Sequence, residues 1–163
     1  EKQNAIRSGA KVFAAAAGYV FCQLKIYPGG KNMEFKLQAG MKKTADLLVQ
    51  EENTAKAMGS GSLPVFATPA MAALMEQAAS LLTDEAVDAE WTSVGTKLEL
   101  AHIAATPEGM QVKAEAELLS VDGRKLTFSL QAWDEKELIG KGTHERFLVK
   151  RAAFLEKTVK KGQ

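Results

Sequence analysis

A chain of 163 residues, of which 46% are hydrophobic and 25% charged, is long enough for one globular domain with an ordinary core. Lys and Arg number 21 against 20 Asp and Glu, so the formal net charge is only +1. This balance excludes the basic bias typical of nucleic-acid-binding proteins and gives no support for an anionic membrane as a partner. The single cysteine, Cys22, excludes an intrachain disulfide and a cysteine-based metal cluster, which favours the reducing cytoplasm.

The beginning of the chain differs in pattern from the remainder. An apolar run at 12–24 follows Arg7 and Lys11 and looks superficially like the apolar part of a secretion signal, although it is too short to span a bilayer. An upstream or leader remnant and a packed strand or helix are equally compatible with this run. We therefore predict three parts: an N-terminal extension (1–40), the main domain (41–158) and a basic tail (159–163).

One helix stands out in the middle of the chain. Thr68 is a good N-cap residue, and Pro69 suits the first helical position because its missing amide proton has no helical partner there. Between residues 70 and 82, apolar side chains cover far more than a narrow stripe, which predicts a helix mostly enclosed by other structure. Glu76 is the only charged residue in that stretch.

Strands are predicted on both sides of this helix. A strand at 43–50 precedes it, followed by a glycine- and serine-rich loop at 57–63. After the helix the apolar period changes to two, and one strand face is predicted to carry Val94, Leu98, Leu100 and His102. A strand at 110–119 and the Asp122-Gly123 pair predict a hairpin into a third strand, and a last strand covers 139–150.

One enclosed helix followed by antiparallel strands predicts an α+β fold in which a sheet covers the helix. A single sheet around one helix leaves an apolar face or edge uncovered. Pairing of two identical chains would cover it, because isologous contacts close without propagating, so we expect a homodimer, with a tetramer as the alternative.

Three residues are candidates for chemistry, and each has a plain structural interpretation as well. Glu76 either marks the one solvated line of its helix or serves as a general base or nucleophile near a carbonyl. His102 is either a core histidine with satisfied hydrogen bonds or a group that protonates a leaving thiolate. Thr68 is either a helix cap alone or also a hydroxyl that orients a carboxylate, a substrate or water.

Other polar positions give weaker signals. Gly95 is either an ordinary strand glycine or a place where a ligand approaches a backbone amide that could bind an oxyanion. His144 and Arg146 share one face of the last strand and Glu145 lies on the other, a triplet that is usually solvated. The sequence has no metal-ligand spacing, phosphate-binding loop, nucleotide fingerprint or serine-nucleophile elbow, so no metal site is expected.

Four motifs together resemble the fluoroacetyl-coenzyme A thioesterase family: Val65-Phe66-Ala67-Thr68, Leu74-Met75-Glu76, Ala101-His102-Ile103-Ala104-Ala105-Thr106-Pro107 and Gly142-Thr143-His144-Glu145-Arg146. The resemblance covers residues 41 to 158, and the spacings between the threonine, glutamate and histidine match those of the family without a gap. It implies a hot-dog fold, an antiparallel sheet wrapped around one long central helix, and it implies a homodimer.

The resemblance also implies roles for single residues. Thr68, Glu76 and His102 correspond to the catalytic threonine, glutamate and histidine, with the carboxylate attacking the thioester or activating water while the histidine assists the leaving thiol. Gly95 and Arg146 correspond to positions at the acyl pocket. We add the neighbouring Phe66 as a substrate-binding residue. No cofactor is expected beyond the coenzyme A that forms part of the substrate.

The sequence departs from the family just before the helix. The family member that selects fluoroacetate has bulky phenylalanines there, whereas this chain has Gly59-Ser60-Gly61-Ser62. We therefore predict a short- or medium-chain acyl-CoA thioesterase that is not selective for fluoroacetate. The alternatives are a noncatalytic acyl-CoA or acyl-carrier binding module and a hot-dog enoyl-CoA hydratase, although the central helix lacks the aspartate that a hydratase would need.

Overall fold

The computed structural model describes residues 35–163, which form an antiparallel sheet of five strands and two α-helices. The apolar run at 12–24 lies outside the described residues. In chain order the elements are β1 (Lys42–Leu48), α1 (Thr68–Ala86), β2 (Trp91–His102), β3 (Gln111–Asp122), β4 (Lys125–Asp134), β5 (Leu138–Lys150) and α2 (Arg151–Val159), with short 3-10 turns at Glu51–Asn53 and Lys160–Gly162.

The sheet has the strand order β1-β3-β4-β5-β2, and every neighbouring pair is antiparallel. The predicted hairpin is confirmed: β3 and β4 meet at Asp122 and Lys125, and Gly123 adopts a φ of 60° in the turn. A positive φ suits glycine because it has no Cβ to clash with the backbone. Strand β2 pairs only with β5 and therefore forms one edge of the sheet, and β1 forms the other edge.

Helix α1 packs against β1, β2, β3 and β4. The side chains on its sheet-facing side are small or flexible and fully buried: Met71, Met75, Ala78, Ala79 and Leu82. They meet the alternating inward side chains of β4, which are Leu126, Phe128 and Leu130. The enclosed helix and the period-two strands predicted from the sequence thus share one core, as close packing of apolar side chains requires.

The predicted inner face of β2 is wrong at one position. A β-bulge between Gly95 and Lys97 inserts an extra residue, so the side-chain alternation changes face there. Ser93 is therefore buried together with its partner Leu148, whereas Val94 pairs with the exposed Phe147 on the other face. Beyond the bulge Leu98 and Leu100 pack against the core, as predicted.

Both ends of the described chain hold structure that the sequence pattern did not reveal. Phe35 packs edge to face on Trp91 at 5.3 Å, and Leu37 is buried, so residues 35–40 pack against the main body. The last strand runs directly into the second helix, α2, which has no buried residue. Among residues 35–163 no helix is long and apolar enough to cross a membrane.

Gly142 provides a test of the pairing between β2 and β5. A Cβ added to Gly142 would clash with the backbone carbonyl of Glu99, which cannot move without disturbing the strand pair. We expect Gly142→Ala to lower the free energy of unfolding by about 1–3 kcal/mol in urea titrations. Gly162→Ala is the control, because a Cβ there meets nothing within 4 Å. Equal stability of the two variants would contradict this packing.

Candidate active site

The beginning of α1 and the end of β2 meet in a hydrogen bond between Thr68 and His102. The helix begins at Thr68 itself, with Ala67 at the N-cap, so the predicted capping role of Thr68 is wrong. Its hydroxyl instead lies 2.9 Å from Nδ1 of His102, the last residue of β2. A hydroxyl held against one ring nitrogen orients the imidazole and leaves the other nitrogen for a reacting group.

The second nitrogen of His102, Nε2, is buried and has no hydrogen-bond partner among the described residues. Burial lowers the pKa of His102, so the neutral imidazole is favoured. A cavity of about 350 Å³ opens beside the ring, lined by Val65, Phe66, Thr68, His102, Ile103, Ala104 and Ala105. Phe66 meets the imidazole edge to face at 6.4 Å. The imidazole of His102 thus lines the cavity, and its buried Nε2 lies within the same ring.

Glu76 belongs to a second cluster, formed with β5. Its Oε2 lies 3.7 Å from Nε2 of His144 and 3.7 Å from Nη1 of Arg146. The Glu76 side chain is 42% exposed, whereas His144 and Arg146 are 1% and 6% exposed. The expectation that this charged triplet is solvated is therefore wrong for two of its members, and only Glu145 faces outward, where it pairs with Lys125.

The guanidinium of Arg146 is held by three further contacts. Its Nε donates to Oγ of Ser93 at 2.7 Å, and its Nη2 donates to the carbonyl oxygen of Ser93 at 2.9 Å. Its Nη1 donates to Nε2 of His144 at 3.1 Å, while Nδ1 of His144 lies 2.8 Å from the carbonyl oxygen of Lys97. Burial lowers the pKa of Arg146, and the nearby Glu76 carboxylate opposes that shift.

Gly95 lies where these side chains meet. It pairs with Arg146 in the sheet, and a Cβ at this position would come within 2.8 Å of Glu76 Oε2 and 3.1 Å of the His144 ring. The side chains of Glu76 and His144 thus pack closely against this glycine, whereas its predicted role in approaching a ligand stays a prediction. Any larger residue would displace the Glu76 carboxylate from Arg146.

The structure thus gathers the predicted site residues into two groups. One group contains Phe66, Thr68 and His102, and the other contains Glu76, Gly95 and Arg146. Eight residues of helix separate Thr68 from Glu76, a rise of about 12 Å, so one chain does not bring the two groups into contact. Sequence reasoning missed Ser93 and undervalued His144. Their position on the inner face next to Arg146 could have indicated them, but only if the bulge in β2 had been foreseen.

Residues 35–163 contain no group of three or more His, Cys, Asp or Glu side chains arranged to hold a metal ion. The polar groups that are present can supply a carboxylate, a fixed positive charge and an imidazole. These are the components of acid–base or nucleophilic attack on a carbonyl group.

Comparison with known proteins gives one family match and three similar proteins. Residues 49–152 match the family model of the fluoroacetyl-CoA-specific thioesterases. The fluoroacetyl-CoA thioesterase of Streptantibioticus cattleyicolor is 40% identical over 97 residues, which are 60% of this chain and 70% of that protein. A solved fluoroacetyl-CoA thioesterase is 34% identical with a TM-score of 0.72, covering 77% of this chain and 97% of its own. A Thermus thermophilus member of the thioesterase superfamily is 25% identical with a TM-score of 0.69, covering 76% and 93%.

The contacts of His144 predict its titration. The sequence contains two histidines, so His102→Gln leaves His144 as the only imidazole. Burial and the positive charge of Arg146 lower its pKa, so its NMR titration midpoint should lie below the ordinary 6.5. Below pH 6.5 the unfolded chain then binds more protons than the folded chain. The His144 contribution to stability should therefore be complete above that pH and fall as the pH drops through the folded-state pKa.

Urea titrations of His102→Gln between pH 7.5 and 5.5 should show that loss of stability. A midpoint at or above the ordinary value would show that His144 is not held as a buried neutral acceptor.

Proposed function

Because the chain belongs to the fluoroacetyl-CoA-specific thioesterase family, we propose that it hydrolyses acyl-CoA thioesters with short or medium acyl groups to the free acid and coenzyme A. The predicted hot-dog fold and the class of thioester hydrolase are confirmed by the matches to solved thioesterases. The preference for short or medium acyl groups is a proposal that goes beyond these matches. One observation carries the proposal of hydrolysis: Glu76, the only charged residue between positions 70 and 82 of α1, stands beside the buried Arg146 and makes no hydrogen bond to another described residue.

That arrangement suits a carboxylate that reacts. The guanidinium of Arg146 lies 3.7 Å from Glu76 Oε2, a distance too long for a hydrogen bond that would occupy the lone pairs of the carboxylate. The carboxylate can attack the thioester carbonyl, or it can take a proton from a water that attacks instead. On either route the carbon–sulfur bond breaks, the acyl group ends as a carboxylic acid with an oxygen from water, and the sulfur leaves as a thiol.

The proposed roles of the other residues follow from their contacts. His102 lines the cavity, and its Nε2 would pass a proton to the departing sulfur once substrate binding brings the two atoms together, while Thr68 holds the ring through Nδ1. Gly95 lies against the Glu76 carboxylate, so a carbonyl under attack would be close to its backbone, where an amide proton can stabilise the oxyanion. Phe66 supplies an apolar wall beside His102.

We further propose that the site is completed by a second copy of the chain. Strand β2 is an edge strand whose outer side has no partner strand among residues 35–163, and the partly exposed Leu98 and Leu100 belong to this strand. Unpaired edges of this length are normally covered, and a two-fold contact between β2 and its copy would cover both. In such a dimer the Thr68–His102 pair of one protomer faces Glu76 of the partner subunit, which removes the separation of about 12 Å found within one chain.

The loop before α1 supports a broad choice of acyl group. It folds into a tight turn through hydrogen bonds from Ser60 and Gly61 to the carbonyl oxygen of Ala55, and Gly59 adopts a φ of 69°. The segment from 59 to 62 offers only hydrogen atoms and hydroxymethyl groups as side chains. Without aromatic bulk in this turn, discrimination between a small fluorinated acyl group and a longer one has less steric basis.

The central test is the release of thiol from acetyl-, fluoroacetyl-, butyryl- and octanoyl-CoA by the wild-type chain and by Glu76→Gln. The amide keeps the shape of the side chain but cannot act as a base or nucleophile, so we expect a loss of at least about 100-fold in kcat. Glu85→Gln, on the same helix and exposed, is the matched control. Tight binding of acyl-CoA without Glu76-dependent hydrolysis would instead identify a binding module.

A mixing experiment tests the shared site. Glu76→Gln and His102→Gln should each be inactive alone, because each lacks one essential group. Unfolding and refolding an equal mixture should restore about a quarter of the wild-type activity, since half of the dimers are mixed and each has one intact site of two. No recovery, with mixed dimers demonstrated by native mass spectrometry, would place both residues of each site on one chain.

A further inference from the structure

Arg146 is fixed mainly by Ser93 and His144 and only weakly by the carboxylate it faces. Each of its three nitrogens donates to one of these two residues, at 2.7, 2.9 and 3.1 Å. The Glu76 oxygen is more distant, at 3.7 Å. A buried guanidinium next to a flexible, half-exposed carboxylate would ordinarily form a direct hydrogen-bonded pair with it. Here each of the three nitrogens instead directs one hydrogen bond to Ser93 or His144, and Nη1 stays 3.7 Å from the carboxylate.

The hydrogen bonds of His144 allow one tautomer only. The Lys97 carbonyl can only accept, so Nδ1 must carry the proton, and the Arg146 guanidinium can only donate, so Nε2 must carry the lone pair. His144 is therefore a neutral acceptor in this arrangement. It has no free ring nitrogen with which to transfer a proton, in contrast to His102.

The backbone of β2 builds this network. The bulge between Gly95 and Lys97 places Ser93 on the inner face and lets the Lys97 carbonyl meet His144. Since a bulge changes which face a side chain occupies, Ser93 could not reach Arg146 in a regular strand that kept His102 facing the core. The missing side chain at Gly95 leaves room for the carboxylate between them.

We propose that Ser93 and His144 are positioning residues, which hold the Arg146 guanidinium beside Glu76 without letting it form a direct hydrogen bond to the carboxylate. The positive charge then stands 3.7 Å from the carboxylate while both carboxylate oxygens stay free for the thioester or for water. Neither residue touches the substrate in this scheme. The inference rests on the proposed thioesterase function, because it assigns these two side chains a part in the reactivity of Glu76.

Substitution of Ser93 tests the first half of the inference. Ser93→Ala removes the acceptor of Nε and lets the guanidinium turn toward Glu76, its nearest anion. We expect kcat for the best acyl-CoA of the panel to fall at least about tenfold while KM changes by less than about twofold. Ser129→Ala, a strand serine outside the cluster, is the matched control and should leave both constants and the melting temperature unchanged.

Two substitutions of His144 separate positioning from proton transfer. His144→Leu removes the acceptor and should lower kcat about as much as Ser93→Ala. His144→Gln can donate to the Lys97 carbonyl and accept from Arg146 without titrating, so it should recover most of the activity that His144→Leu loses. If His144→Gln is as inactive as His144→Leu while both remain folded by circular dichroism, His144 transfers protons and the inference fails.

The outcomes are separable from those of the proposed function. If the wild-type chain releases no thiol that depends on Glu76, the thioesterase proposal itself fails. If Glu76-dependent hydrolysis is present but Ser93→Ala retains the wild-type kcat, or if KM and melting temperature change while kcat does not, only the positioning role is overturned.

Discussion

The burial of one positive charge constrains the architecture around Glu76. Removing a guanidinium from water costs on the order of several kcal/mol unless its donors are satisfied. Each nitrogen of the Arg146 guanidinium donates to Ser93 or His144, both on the inner face of the sheet, and the Glu76 carboxylate stands nearby as a counter-charge at 3.7 Å. Each of these partners must be placed by backbone geometry, because a buried donor left without an acceptor would destabilise the fold.

That requirement accounts for irregularities in an otherwise regular sheet. Strand β2 carries a bulge just where it passes Arg146, and Gly95, at the bulge, cannot carry a side chain without striking Glu76 or His144. Helix α1 places Glu76, the only charged residue between positions 70 and 82, opposite Gly95. A local departure from regular structure, with its cost in strand pairing, is typical of positions where function outweighs packing.

Much of the fold was predictable because its signals are local and periodic. The enclosed helix, the alternating strands and the hairpin at Asp122-Gly123 follow from side-chain period and from the turn preference of glycine. The inner face assigned to Val94 was wrong because one inserted residue reverses alternation, and composition does not encode a bulge. The buried state of His144 depends on a partner 47 residues away in sequence, the Lys97 carbonyl, and so lay beyond any local pattern.

The site residues divide in the same way. Glu76 and His102 drew attention because each is polar in an apolar pattern, and the motifs connected them to a known constellation. Thr68 was assigned a capping role that the structure gives to Ala67, since a threonine before a proline suits either the N-cap or the first turn. The Thr68 hydroxyl contacts Nδ1 of His102 instead of capping the helix. Loss of a cap typically costs about 1 kcal/mol, so a threonine used in this way favours orientation of the imidazole over helix stability.

The division of the polar groups into two clusters bears on how such a site could be assembled. A neutral imidazole with a free nitrogen stands at one end of α1, and a carboxylate with a fixed counter-charge stands two turns further along. Within one chain each half has its own hydrogen bonds, because Thr68 contacts His102 in one and Ser93 and His144 hold Arg146 in the other. Because His102 and Glu76 belong to separate clusters, neither forms an ion pair with the other within one chain. In the proposed dimer, pairing of the edge strand β2, which carries residues of both clusters, would bring together halves that are already oriented.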